Sequence, residues 1–155
     1  MRKCFLISII SFFGWANCSA QVSATGNDTI RTVAGQLAIE KVNHIGADSV
    51  TFKVLLNGRD FDKLYGLTHI YYPDSGSSDK ANGRVLMEDF IGGADVTPVI
   101  MLYDFRGKSP QVLQVTDKLD VDDIRWRQDG LLLEANNKWY IYRRGKLSNA
   151  KSTLR

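Results

Sequence analysis

The sequence predicts an all-β protein, mainly an antiparallel meander closing as a small sandwich or barrel, with one short helix possible near the mature N-terminus. Three observations predict it. Short segments rich in β-branched and aromatic residues recur at intervals of about ten residues. Each is bounded by Gly, Asn or Asp in combinations that favour tight turns. No segment beyond the first twenty residues is apolar over the 18 or so positions that a membrane helix needs.

The elements follow in order. Ile30 to Val42 has two readings: apolar residues at Ile30, Val33, Ala34, Leu37, Ala38 and Val42 roughly fit a helical period, whereas Gly35 to Val42 also reads as a strand. Val50 to Leu56 places Val50, Phe52, Val54 and Leu56 on one face of a strand. Asn57-Gly58 then supplies a type I′ turn, and Arg59 to Tyr65 returns as the partner. Leu67 to Tyr72 is a further strand, closed by a Ser/Gly/Asp loop that runs from Pro73 to Gly83. Strands at Arg84 to Ile91 and Val96 to Phe105 flank a turn at Gly92 to Asp95, with Pro98 suited to a strand end or an edge. Gln111 to Thr116, Val121 to Arg127, Leu131 to Ala135 and Lys138 to Arg143 complete the series, with turns at Gln128-Asp129-Gly130 and Asn136-Asn137. The spacing is regular but the segments do not resemble one another, so a propeller is disfavoured.

The N-terminus distorts the gross composition. Met1-Arg2-Lys3 is a short basic start, Phe5 to Phe13 is apolar, and Cys18-Ser19-Ala20 offers small residues for cleavage after Ala20. Residues 1–20 therefore read as a secretory signal peptide. Lipidation at Cys18 is not expected, because Trp15-Ala16-Asn17 lacks the aliphatic and small residues of a lipobox. Residues 21–155 form one exported domain with flexible ends expected at 21–29 and 148–155, located in the periplasm or secreted. Both cysteines fall in the leader, so the expected mature domain has no disulfide framework, thiolate zinc site or cysteine nucleophile. The formal charge falls from +3 to +1, since the leader carries two basic residues and no acidic one.

Residues suited to catalysis are scattered. Ser75, Ser77 and Ser78 lie in a loop without the strand–turn–helix setting of a nucleophile elbow. His44 and His69 are 25 positions apart, and neither has a second ligand at the spacing of two that one strand face requires. Asp117, Asp120, Asp122 and Asp123 lack the glycine and terminal glutamate of an EF-hand, so an acidic turn leading into a strand is expected. The same cluster could supply paired carboxylates with Glu134 or Glu88 for glycoside hydrolysis. No metal, no cofactor and no catalytic residue is assigned.

Charge is divided unevenly along the chain. Lys138, Arg143, Arg144, Lys146, Lys151 and Arg155 give the segment from residue 138 onward +6, while residues 21–137 carry −5. Trp126, Trp139, Tyr140 and Tyr142 lie beside this basic segment, and Trp, Tyr and Arg are the common anchors of protein interfaces. Trp126, Trp139, Tyr140, Tyr142, Arg143, Arg144 and Lys146 are therefore the expected partner-binding residues. Alternation places Trp139 and Ile141 on one face and Tyr140 and Tyr142 on the other, so core and contact surface can each take one face.

Arg84-Val85-Leu86-Met87-Glu88-Asp89, then Gly92-Gly93, then Thr97-Pro98 and a strand ending at Tyr103, resembles a pattern of small Sec-exported proteobacterial proteins of unknown function. The likeness covers about 20 residues, and Thr97 stands where the pattern has a cysteine before the proline. It implies a periplasmic β-rich fold and no catalytic residues. The expected function is an exported periplasmic binding protein that occludes or inhibits another protein, as an immunity protein or enzyme inhibitor does, with no nucleic acid bound and no membrane insertion of the mature chain. A cell-wall glycan module, with Trp126, Trp139 and Tyr142 stacking on sugar rings, is the alternative. A small hydrolase using Asp122, Asp123, Glu134 or a histidine is the third reading.

Overall fold

The computed structural model describes residues 22–24, 27–43, 50–92 and 96–150. The leader, His44, the Gly93 to Asp95 part of one expected turn, and Lys151 and Arg155 lie outside the described residues. The strands are β1 (Val22–Ala24), β2 (Asp28–Thr32), β3 (Gly35–Asn43), β4 (Val50–Leu56), β5 (Arg59–Leu64), β6 (Thr68–Pro73) and β7 (Arg84–Phe90). They continue with β8 (Val99–Asp104), β9 (Gln111–Thr116), β10 (Asp123–Arg127), β11 (Gly130–Ala135), β12 (Lys138–Arg143) and β13 (Lys146–Asn149).

The all-β expectation is met, and the architecture is layered. Strands β2-β3-β4-β5 form an N-terminal sheet, β1-β6-β7-β8-β9 a central one and β10-β11-β12-β13 a C-terminal one, every pairing antiparallel between neighbours. Three consecutive four-stranded meanders therefore recur, with β1 added at the edge of the second. Ile30 to Val42 adopts the strand reading: β2 and β3 form a hairpin, turned at Val33-Ala34 and entered by Gly35 at φ +123°. Val22–Ala24 pair with β6, and Ser148 and Asn149 pair with β12 as part of β13.

Turn chemistry sets the registers. Asn57-Gly58, Asn136-Asn137 and Arg144-Gly145 all have positive φ at both central residues, which is the type I′ pattern that matches the right-handed strand twist. The prolines stand at strand ends: Pro73 closes β6, Pro98 precedes β8 and Pro110 precedes β9, where a missing N–H costs no ladder bond.

The central sheet is covered on both faces. Towards the N-terminal sheet it presents Tyr71, Val85, Met87, Tyr103 and Phe105, which pack with Ile30, Leu37, Ile39, Phe52, Val54 and Leu64. Towards the C-terminal sheet it presents Tyr72, Leu86, Ile100, Leu102 and Val115, which meet Ile124, Leu131, Leu133, Ala135 and Tyr142. Period-two alternation explains the division, because odd and even positions of β7 enter different cores. Arg84, Val85, Leu86, Met87, Glu88 and Asp89 are consequently all buried. Polar ties cross these layers as well: Tyr103 donates its hydroxyl to Asp62 Oδ2 at 2.6 Å, Arg84 donates to the Gly130 carbonyl at 3.1 Å and Arg106 to the Gln128 carbonyl at 3.1 Å.

The Pro73–Gly83 loop is held against β2 rather than left as a solvated connection throughout. Asn82 is fully buried, and its side-chain amide donates to the carbonyls of Arg31 (3.0 Å), Ser77 (2.9 Å) and Lys80 (2.7 Å). Its Oδ1 accepts from the Ser75 N–H at 2.9 Å, and its backbone bonds to Arg31 and Val33.

Candidate functional site

The C-terminal sheet has two chemically different faces. In register, Trp126 lies opposite Leu131, Leu131 opposite Tyr142 and Tyr142 opposite Leu147, so these four share the inner face. One row away, Arg125, Leu132, Ile141 and Ser148 share the outer face, with Asp123, Glu134 and Trp139 beside them and Arg143 opposite Lys146.

That division separates the residues expected to bind a partner. Tyr142 is buried, and Trp126 and Tyr140 pack against the core between the central and C-terminal sheets. The expectation that Tyr142 lies on a contact surface is therefore corrected: its row points at Leu86 and Leu102 rather than at solvent. Trp126 carries the Arg84 guanidinium 4.8 Å above its ring, so its role is to seat a buried cation. Trp139, Arg143 and Lys146 lie on the outer face, and Arg144 is exposed in the β12–β13 turn. Because Trp126 and Tyr142 point inward and Trp139 outward, the three aromatics do not form one sugar-stacking platform.

Sequence reasoning missed Arg125 and Leu132. Arg125 sits 4.4 Å above the Trp139 ring, and the pair covers part of the indole while leaving the guanidinium exposed. Leu132 is buried within this outer row, beside the partly exposed Ile141. The face thus has an apolar centre of Leu132, Trp139 and Ile141 with Arg125, Arg127, Arg143 and Lys146 around it. Arg125 pairs with Asp123 at 3.2 Å and Arg143 with Asp129 at 3.0 Å, which positions both guanidinium groups. Exposed pairs of this kind contribute little to stability. The outer face of the N-terminal sheet differs: its exposed positions include Thr29, Arg31, Glu40 and Lys53, with no tryptophan.

The acidic stretch has a separate placement. Asp120, Val121, Asp122, Asp123 and Ile124 close one end of the interface between the central and C-terminal sheets, over Ile70, Tyr72, Glu88 and Phe90. They enclose a pocket of about 180 Å³. Glu88 is 3% exposed, and its Oε2 accepts from the Tyr72 hydroxyl at 3.2 Å, while Oε1 has no hydrogen-bond partner among the described residues. Burial pushes the Glu88 pKa up to about 7; the Tyr72 hydrogen bond opposes this, and the nearby Asp120 charge adds to it. Asp122 is otherwise engaged by the Asn136 N–H, and Asp123 by the Ile124 N–H and Arg125. Glu134 lies in the outer row rather than in this pocket.

His69 occupies the other core. It is fully buried, in edge-to-face contact with Phe52 at 4.5 Å, with Asp28 Oδ2 3.9 Å from Nε2. Desolvation pushes its pKa down to about 4 and raises that of Asp28. The expected surface or core-edge histidine is thus a core residue. Among the described residues no group of three or more His, Cys, Asp and Glu side chains is placed to hold a metal ion. No known protein family, curated protein or solved structure matches the chain.

Proposed function

We propose that this chain is an exported, non-catalytic binding protein of the periplasm that occludes or inhibits another protein through the outer face of its C-terminal sheet. One observation carries the reading: Trp139 and Ile141, half-buried beside buried Leu132, form an apolar centre on a face where a monomer's exterior strands ordinarily place polar residues, with basic side chains around it. Interface anchors have this character, an aromatic core bounded by a polar rim. Four basic residues lie on that face, Arg125 and Arg143 paired with Asp123 and Asp129 and Arg127 and Lys146 beside them, which favours a partner surface with an acidic rim. An immunity protein and an enzyme inhibitor both work by such occlusion.

Capture from periplasmic extract tests this reading. The intact domain is expected to retain a stoichiometric partner, and Arg125→Ala with Trp139→Ala is expected to weaken retention by about 30-fold or more, the scale of a central anchor. Lys53→Ala, on the outer face of the N-terminal sheet, is expected to leave it unchanged. Equal retention by all three proteins would remove the reading. Co-sedimentation with peptidoglycan in place of a protein partner would favour a glycan-binding role instead.

A further inference from the structure

The edge of a sheet presents unpaired backbone groups, and proteins ordinarily blunt it with charge, proline, a short strand or a covering segment. Most edges of this fold are blunted in that way. The β2 edge is covered by the Pro73–Gly83 loop, where the Arg31 and Val33 N–H groups donate to the Ser78 and Asn82 carbonyls. Edge strand β5 carries Arg59, Asp60, Asp62 and Lys63, β10 carries Asp123, Arg125 and Arg127, and β13 carries Lys146. Strand β1 is 3 residues long. Strand β9 differs: Gln111-Val112-Leu113-Gln114-Val115-Thr116 holds no charged side chain, and the shift in its register with β8 comes only after Gln114.

The direction of its backbone groups follows from β8. Phe105 donates its N–H to the Gly83 carbonyl at 2.8 Å, just beyond the pairing of Arg84 with Asp104. Arg84 and Asp104 are therefore a non-hydrogen-bonded pair. Alternation then turns the backbone groups of Tyr103 and Met101 towards β7 and those of Asp104 and Leu102 towards β9. Val112 and Gln114, opposite Tyr103 and Met101, consequently aim their N–H and C=O groups away from the sheet. Neither residue has another backbone hydrogen bond on that side among the described residues. Gln111 and Gln114 are exposed, and Val112 and Leu113 are half-buried. Strand β13 passes nearby, where Leu147 and Leu113 line the same core, but it belongs to a different sheet.

We propose that two copies of this chain associate by antiparallel pairing of β9 with β9, about a twofold axis at Leu113. The spacing of the outward groups selects this register. With Leu113 opposite Leu113, Val112 of each copy faces Gln114 of the other, and every outward N–H meets an outward C=O, as in the hydrogen-bonded pairs of an antiparallel ladder. The contact is self-complementary, which a twofold interface requires. An uncharged strand meets its own copy without the repulsion of like charges directly opposite. The formal charge of +1 on residues 21–155 also gives little long-range repulsion between copies. The pairing uses none of the residues of the proposed partner face.

Sedimentation equilibrium of the domain over about a hundredfold range of concentration tests this, with a reversible monomer–dimer exchange expected. Over the same range the Val112 and Gln114 amides are expected to slow their hydrogen exchange at least about fivefold, while exposed Asp60 on the β5 edge keeps its rate. Gln114→Pro removes an outward N–H that the fold does not use. It is expected to leave near-ultraviolet circular dichroism unchanged and to weaken dimerisation at least about tenfold. Trp139→Ala is expected to leave dimerisation as it is. A monomer at every concentration, undiminished dimerisation of folded Gln114→Pro, or a dimer lost in Trp139→Ala with Val112 and Gln114 exchange unmoved would overturn the proposal. The wild-type exchange rates decide the matter even where the proline variant does not fold.

Discussion

Asn82→Ala is expected to destabilise the fold by about 3–5 kcal/mol, the largest effect of any single polar substitution proposed for this protein. The Asn82 side chain makes four hydrogen bonds from a fully buried position. Alanine leaves the half-buried Ser75 N–H and the carbonyls of half-buried Ser77 and exposed Lys80 without that partner, and an orphaned group costs about 1–3 kcal/mol where water cannot replace the bond. Partial hydration of the loop offsets some of the sum. Asn82→Asp discriminates the mechanism: a carboxylate accepts from Ser75 but cannot donate to three carbonyls, so it is at least as damaging at neutral pH and less so once protonated. Urea unfolding reads both effects as a lower midpoint at unchanged slope. A loss below about 1 kcal/mol in Asn82→Ala would show that the loop does not depend on this residue.

The second large effect is a change in how stability depends on pH. Glu88 has an ordinary pKa of 4.5 and a folded value of about 7, so between these limits the folded state holds the extra proton. Stability therefore falls as pH rises through that window, and the penalty is complete above it. His69 acts in the opposite sense: its pKa is 6.5 ordinarily and about 4 in the fold, so the unfolded chain holds the extra proton and stability rises with pH between those values. The two slopes offset one another between about pH 4.5 and 6.5. Glu88→Gln removes one of them while retaining an amide acceptor for Tyr72. It is expected to leave stability unchanged below pH 4.5 and to raise it by about 3 kcal/mol above pH 7. Half-buried Asp28 and buried Asp89 are also raised by desolvation, but their contributions cancel in the difference between variant and wild type. Denaturant titrations of both proteins from pH 4 to pH 8 supply that difference curve. A flat curve would mean that Glu88 ionises normally in the fold.

The strands were legible where turn chemistry is explicit. Asn57-Gly58 and Asn136-Asn137 mark their hairpins because few residue pairs tolerate two successive positive φ values. The β2–β3 hairpin was ambiguous because Val33-Ala34 has no such marker, and a short apolar run fits both periods. The layered arrangement was not legible from β7. Arg84, Glu88 and Asp89 look like solvent-facing positions until both faces of the central sheet are seen to be covered and each charge is supplied with local partners or a pocket.

The contact face was half legible for a related reason. Alternation correctly separates Trp139 from Tyr140, but depth depends on which neighbour a face meets, so Tyr142 could not be recognised as buried. Arg125 escaped notice because its link to Trp139 crosses from β10 to β12, strands that are not adjacent in the sheet. The Glu88 pocket joins β6 and β7 to a segment some thirty positions later, which no local pattern encodes. The flexible end expected from residue 148 begins inside β13, where Ser148 and Asn149 pair with Ile141 and Tyr140 and Leu147 packs inward.

The most direct measurement of the central claim is hydroxyl-radical footprinting of the domain alone and bound to its captured protein partner. A contact through the outer face of the C-terminal sheet predicts that oxidation of Trp139 falls several-fold in the complex, while exposed Val33 and Tyr65, far from that sheet in the chain order, are modified at the same rate. Unchanged oxidation of Trp139 together with protection of Val33 or Tyr65 would contradict the claim and place the contact elsewhere on the molecule.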